Sequence, residues 1–474
     1  MLQTVFEKQP PNATVVDHAL RRTRLAPFWI EDVADTPTYP AATADAAYDL
    51  VVVGGGYTGL WSALLAKQRH PELSVALVEG ETIGWAASGR NGGFVEASLT
   101  HGSENGRRRW PEEIDTLESL GLENLDAIEK TVHTLGLDCD FERNGAISVA
   151  IADYQAEEAL GTPPSATTTV LDGPAMRAQV NSPTYLAGVW DKTSTALVHP
   201  AKLATELGRV CAEHGVEIHE HTKVLDLVRS RSSSRVGVRT ARATLSADRV
   251  ILATNAFPSL LKRYRLHTVP VYDYVLMTEP LSDAQLADVG WSARQGIADM
   301  SNQFHYYRLT RDNRILWGGY DAIYHFGRGL NHDLEDRPES HATLARHFFT
   351  TFPQLEGLEF THRWGGVIDT STRFCSFFGS AAKGRIAYAA GFTGLGVGAS
   401  RFAANVMLDK VAGEKTALTE LALVKDMPLP FPPEPLAAAG INATRWSLDR
   451  ADHNEGRRNV FLKALDAVGL GFDS

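Results

Sequence analysis

The 474 residues include only three cysteines, Cys139, Cys211 and Cys375, far apart and odd in number. That usage excludes a disulfide framework and a zinc-type pattern, and it fits a reducing compartment. Basic charge is also scarce: 46 Lys and Arg stand against 57 Asp and Glu, a formal net charge of −11. A nucleic-acid partner is excluded on that balance, because phosphate binding needs a basic face. No apolar run approaches the ~20 residues that span a bilayer, so no membrane span is expected. The opening stretch MLQTVFEKQPPNATVV lacks a basic segment followed by an apolar one. No secretory signal is read there, and a cytoplasmic location is expected. Long repeats, low-complexity tracts and a G-x-S-x-G nucleophile elbow are missing. His219 and His221 share a strand face but lack a third ligand, so no metal site is expected.

What is present is a globular composition, 44% hydrophobic and 22% charged, in a chain long enough for two or three domains. Residues 1–47 are punctuated by Pro and Ala and read as an extension packed on the surface, with Phe28 and Trp29 as anchors. The run YDLVVVGGGYTGLWSALLAKQRHPELSVALVEG gives strand, glycine turn, helix and strand. A helix is expected over 111–134, a strand over 145–151 and a loop over 161–176. A helix over 200–214 leads to a strand from Val216, and 248–257 holds another buried strand. The aromatic segments VPVYDYVLMTEPL, QFHYYRLTRD and RILWGGY are strand-rich, and RIAYAAGFTGLGVGASRFAANVMLDKVAG repeats strand, turn and helix. The Pro-rich 427–435 ends the compact part, and a last helix is expected over 458–467. The fold class is therefore α/β (α+β overall): a discontinuous Rossmann-like domain with an inserted antiparallel-sheet substrate domain. The expected segments are 48–110, 195–265 and 361–425 for the first, 111–194 and 266–360 for the second, and 426–474 as a tail.

Gly54-x-Gly56-x-x-Gly59 follows an apolar strand and opens a helix. The first glycine permits the turn, the second lets backbone approach a pyrophosphate, and the third lets helix and strand pack closely. Unpaired N–H groups at the helix start then face the phosphates. Glu79 ends the next strand, 25 residues beyond Gly54, where a carboxylate holds ribose hydroxyls and disfavours a 2′-phosphate. A second small loop, GWAASGRNGG (84–93), makes room for something bulky and planar. The glycine turn and helix at 391–409 offer a second helix N-terminus, suited to an anionic reduced ring. Both features favour FAD over NAD.

DLVVVGGGYTGLWSALLA, VEGETIGWAASGRNGG, RVILATNAF and YAAGFTGLGVGASRFA together resemble the D-amino-acid oxidase/glycine oxidase superfamily of FAD enzymes. Within it, the chain looks most like the γ-glutamylputrescine-oxidase-like amine-oxidising branch. The resemblance implies that Gly54, Gly56, Tyr57, Thr58 and Gly59 cradle the pyrophosphate, with Glu79 and Gly80 at the adenosine ribose. Ser88, Arg90, Asn91, Gly92 and Gly93 would pass beside the pyrophosphate and the isoalloxazine, with Arg90 and Asn91 as polar contacts. Val224, in a strand, would meet adenine, and Ala253 and Thr254 would border the adenosine. Gly391, Phe392, Thr393, Gly394, Leu395 and Gly396 would line the pyrimidine edge. Noncovalent FAD is implied, since SGRNGG offers no His or Cys and the C-terminal loop no Cys.

The implied chemistry is hydride transfer from an amine α-carbon to flavin N5, followed by imine hydrolysis. Tyr272 and Tyr274 on one strand face, Tyr306 with Arg308 on another, and Trp364 are the expected chamber residues. Amino-acid oxidases of the superfamily place a carboxylate-clamping Arg after a W-x-G-like stretch. This chain has Val367, Ile368 and Asp369 there, with Arg373 only later. An amine, a polyamine derivative or an N-substituted compound is thus expected, with Asp369 at a cationic tail. A D-amino-acid, glycine or sarcosine-type oxidase or dehydrogenase, a non-catalytic flavin binder and an NAD enzyme are the alternatives. RILWGG lacks the Lys that sarcosine-type oxidases place over the flavin, so O₂ or another electron acceptor is left open.

Overall fold

The apolar runs Leu50–Val53 and Val75–Val78 are buried on both faces, as strands covered by helices on each side must be. In a computed structural model, which describes residues 2–33, 36–229, 235–467 and 469–470, they form the centre of an eight-stranded sheet. Its parallel part orders Ile386–Ala390, Thr244–Leu252, Ala46–Val53, Val75–Val78 and Val216–His219. Helix Tyr57–Arg69 packs against both Pro200–Glu213 and Gly396–Ala412. The two glycine turns read from sequence therefore open helices beside one another on one sheet.

A ten-stranded sheet carries the second half of the architecture. Its backbone is the long antiparallel pair Thr268–Thr278 and Phe360–Ser371, extended by Ile315–Gly319, His305–Leu309, Gly296–Asp299, Ala146–Ala150, Ala187–Asp191 and Thr168–Asp172. One face packs on helix Pro338–Thr351 through Tyr272, Tyr274, Leu276, Tyr307 and Trp317. The other packs on Phe28, Trp29 and Ala201 through Val275, Met277, Leu316 and Trp364.

Several sequence expectations shift. Phe360–Ser371 pairs along its whole length with Thr268–Thr278, so residues 361–371 belong to the substrate sheet rather than to the nucleotide segment 361–425. Helix Ile114–Leu135 lies in the segment assigned to the substrate domain, yet Leu117, Leu125, Ile128 and Val132 bury in the nucleotide-domain core. The expected loop at 161–176 contains strand Thr168–Asp172 and the start of helix Gly173–Gln179. The extension does more than lie on the surface: Arg24–Leu25 adds a parallel edge strand beside Phe360–Ser371, and Phe28 and Trp29 are buried. Among the described residues no helix is long and apolar enough to cross a membrane.

Candidate active site

The phosphate loop is held by contacts that only glycine allows. Gly54 sits at φ +114°, and a Cβ there would lie 2.3 Å from the Ala253 carbonyl oxygen. A Cβ on Gly59 would lie 1.9 Å from the Gly54 carbonyl oxygen, so the helix rests directly on the turn. Ser88 Oγ accepts from the Tyr57 amide at 3.0 Å and ties the second glycine loop to the first. Glu79 ends its strand with its carboxylate accepting from Gly55 N (2.6 Å), Glu81 N (2.9 Å) and Trp85 Nε1 (2.9 Å). Gly80 follows, close to Lys223. Val224 is half-buried in the loop beyond strand Val216–His219, not in a strand as expected.

The loop 84–93 is folded mainly by protein contacts. Asn91 spends its side chain inside the loop, donating to Ala87 O and Ser88 O and accepting from Gly93 N. It is thus a loop-shaping residue rather than the expected ligand contact. Arg90 forms an ion pair with Glu335 at 2.6 Å and donates to Trp85 O. Two indoles fix the backbone: Trp29 Nε1 donates to Asn91 O at 2.9 Å, and Trp364 Nε1 to Arg90 O at 2.8 Å. Trp364 is fully buried, so its place is behind the loop rather than in the chamber. The space over Gly92 is filled by Tyr306, whose Cε2 would lie 2.6 Å from an added Cβ.

The C-terminal loop is pinned from below. Asp369 is buried and accepts from Gly391 N (2.5 Å) and Phe392 N (3.1 Å), while the Thr393 amide donates to its carbonyl. Burial pushes its carboxyl up to about 7, against the pull of those amides. Asp369 is therefore a loop anchor, not the cation-binding group expected. Gly391 (φ +77°), Thr393 (φ +50°) and Gly394 (φ +91°) all lie in the left-handed region, a conformation that Thr adopts only where its surroundings impose it. Helix Gly396–Ala412 starts at Leu395 with no capping side chain, so its first-turn amides are left for a ligand.

A cavity of about 1690 Å³ lies between these loops and the ten-stranded sheet. It exceeds the ~300–1,000 Å³ of ordinary small-molecule pockets and leaves room for a large cofactor and a substrate together. Tyr57, Thr58, Ser88, Gly92 and the loop at Thr393–Val397 line it, as do Val271, Asp273 and Val275. Tyr272 and Tyr274 point the other way, donating to Asn331 O and Leu334 O, and so drop out of the chamber. Tyr306 stays, and its hydroxyl donates to Asp273 Oδ2. Sequence reasoning missed Asp273 and also Glu96, which lines the same cavity and whose carboxyl is raised by burial. Nine carboxylates and three arginines line this cavity. Among the described residues no His, Cys, Asp and Glu group could hold a metal ion.

The tail closes one side. Leu436, Gly440, Ile441, Thr444 and Leu448 of helix Leu436–Asp452 line the cavity, as does Phe461. Asp452 accepts from the amides of Asn302 and Gln303, and His453 pairs with Glu7 at 3.2 Å. Ending the chain at Pro435 is expected to leave FAD bound but raise KM for substrate roughly tenfold, because a wall that positions substrate is removed. Steady-state kinetics of the truncated protein check this; an unchanged KM would mean that the tail plays no part.

The residues fit a flavin dinucleotide. Thr254 Oγ1 is buried with no protein partner. A Cβ at Gly394 would project into open space, and two helix N-termini border the cavity. Comparison with known proteins agrees. A family model described as FAD dependent oxidoreductase (DAO) matches residues 49–409. Gamma-glutamylputrescine oxidoreductase of Escherichia coli (strain K12) is 29% identical over 398 residues, covering 81% of this chain and 88% of that protein. Probable oxidoreductase OrdL of Haemophilus influenzae is 26% identical, covering 80% and 86%. Glycine oxidase from Geobacillus kaustophilus shares the fold with a TM-score of 0.65 at 21% identity, covering 81% of this chain and all of that one.

Proposed function

We propose, from the premise that the chain belongs to the DAO family of FAD-dependent oxidoreductases, that it oxidises a C–N bond of a cationic amine in this cavity. The observation that carries the substrate class is the charge of the walls, nine carboxylates to three arginines. Of those arginines, Arg90 pairs with Glu335 and Arg458 with Asp466, and the third, Arg445, belongs to the tail helix. An ammonium meets an excess of counter-charge in these walls. The E. coli relative is named an oxidoreductase of gamma-glutamylputrescine, whose putrescine end carries an ammonium.

Bound FAD supplies the hydride acceptor. The protein's share is positioning and exclusion of water. Gly54, Gly56 and Gly59 set the phosphate turn, and Glu79 and Thr254 would meet the adenosine half. The amides at 394–397 and the N-terminus of Gly396–Ala412 favour negative charge on the pyrimidine edge. Val271, Val275, Phe94 and the tail supply apolar wall between the charged side chains. Three buried free cysteines support a reducing, cytoplasmic setting.

Aldehyde and ammonia release from a panel of alkyl monoamines, α,ω-diamines and α-amino acids tests the reading. Turnover is expected with amines at a kcat/KM at least about tenfold above any amino acid. Preference for an α-amino acid would overturn it.

A further inference from the structure

The same alternation that turns Tyr272 and Tyr274 away sends Asp273 into the cavity, the one charged residue in the strand Thr268–Thr278. Its oxygens accept from the Tyr306 hydroxyl and from the Tyr274 amide at 2.9 Å. The Gly319 amide also faces it, as does the carboxylate of Asp321, which is itself paired with Arg337 at 2.8 Å. The largest influences on its charge are burial, these three donors and Asp321, with no basic side chain among them. A carboxylate away from bulk water with neutral donors alone is an unbalanced charge, and such charges are costly unless a cation completes them.

Tyr306 is fixed in place. Added Cβ atoms at Gly92 and Gly318 would lie 2.6 and 2.7 Å from its ring, and Phe94 meets it edge-on at 5.9 Å. The ring therefore links Asp273 to the 84–93 loop, which Ser88 ties to the phosphate turn through the Tyr57 amide. The dyad lines the cavity beside that loop.

We propose that Asp273, positioned by Tyr306, is the residue that receives the substrate's ammonium group and takes its proton before oxidation. The assignment rests on the amine-oxidation reading above. An alkylamine enters protonated at neutral pH, like a lysine with its pKa near ~10.4. An ammonium has no lone pair to form C=N as the α-hydrogen leaves. The N–H bond breaks and an Oδ–H bond forms on Asp273. The freed nitrogen pair then makes C=N while the α-hydrogen departs with its two electrons to FAD. The amine is oxidised by two electrons and FAD reduced by two. Burial pushes the Asp273 carboxyl up to about 6 against its hydrogen bonds, which suits a proton acceptor near neutrality.

The test uses FAD-loaded enzyme and two variants, Asp273→Asn and Tyr306→Phe. In the wild type, kcat/KM for the best amine should fall on the acid side with an apparent pKa near 6. Asp273→Asn should lose that limb and at least about 100-fold in kcat/KM, with its visible spectrum and FAD content unchanged. Tyr306→Phe, which removes a donor to the carboxylate, should move the limb to higher pH. Binding gives an independent readout. tert-Butylamine has no α-hydrogen and cannot be oxidised; calorimetry should show at least about tenfold weaker binding to Asp273→Asn. An acid limb that survives in Asp273→Asn and is unmoved in Tyr306→Phe, or equal tert-butylamine binding, overturns the assignment. If no amine is oxidised yet Asp273→Asn still weakens tert-butylamine binding, the anchor stands and the oxidation reading falls.

Discussion

Gly59→Ala is expected to yield protein that purifies without FAD and melts at lower temperature. Alanine is the better helix former by roughly 1 kcal/mol, so local propensity alone argues for a gain. The packing decides otherwise. The new methyl would sit 1.9 Å from the Gly54 carbonyl oxygen and 3.3 Å from Val52 Cγ1. Neither neighbour can move cheaply. The first is backbone in a turn held at φ +114°, itself pressed on Ala253, and the second lies in a central strand. The helix must lift from the sheet, which displaces Tyr57 and its tie to Ser88 and opens the phosphate turn. The visible spectrum and a melting curve check this; a full flavin band at an unchanged Tm would refute it.

Asp369→Ala is the second large effect. Removing the carboxylate leaves the Gly391 and Phe392 amides buried and unpaired, at a cost of about 1–3 kcal/mol each. That loop already carries Thr393 in a left-handed conformation, so it will relax once released. Its relaxation moves the uncapped start of helix Gly396–Ala412. The expected outcome is a lower Tm and FAD bound at least about tenfold more weakly, with tert-butylamine binding to the loaded enzyme altered less than about threefold. A variant that keeps its FAD affinity but loses amine affinity would return Asp369 to the cation-binding role that its position in the sequence first suggested.

The nucleotide half was legible because its signals are local. A buried apolar run, three glycines at fixed spacing and a following helix imply one turn, and the 1.9 Å approach at Gly59 is the physical reason for that spacing. The 84–93 loop was legible as a close approach, but not what approaches it: Tyr306 fills the space over Gly92, and the Asn91 side chain closes the loop on itself. Strand Thr268–Thr278 shows the limit most clearly. Alternation separates Tyr272 and Tyr274 from Asp273, yet both faces are covered, one by helix Pro338–Thr351 and one by the cavity wall. Period alone cannot say which is which. A lone acid in an otherwise apolar and aromatic strand was the available sign, since such a charge needs a polar destination. Residues 361–371 were misassigned for a similar reason: pairing over a separation of about 90 residues leaves no trace in local pattern.

Anaerobic titration of the FAD-loaded protein tests the central claim most directly, because it reads electron transfer without depending on the acceptor that reoxidises the cofactor. Stoichiometric bleaching of the visible flavin band by an alkyl amine or diamine, slowed at least about 100-fold in Asp273→Asn, is the expected result. A flavin that stays oxidised with every amine, or bleaches only with α-amino acids, would contradict it.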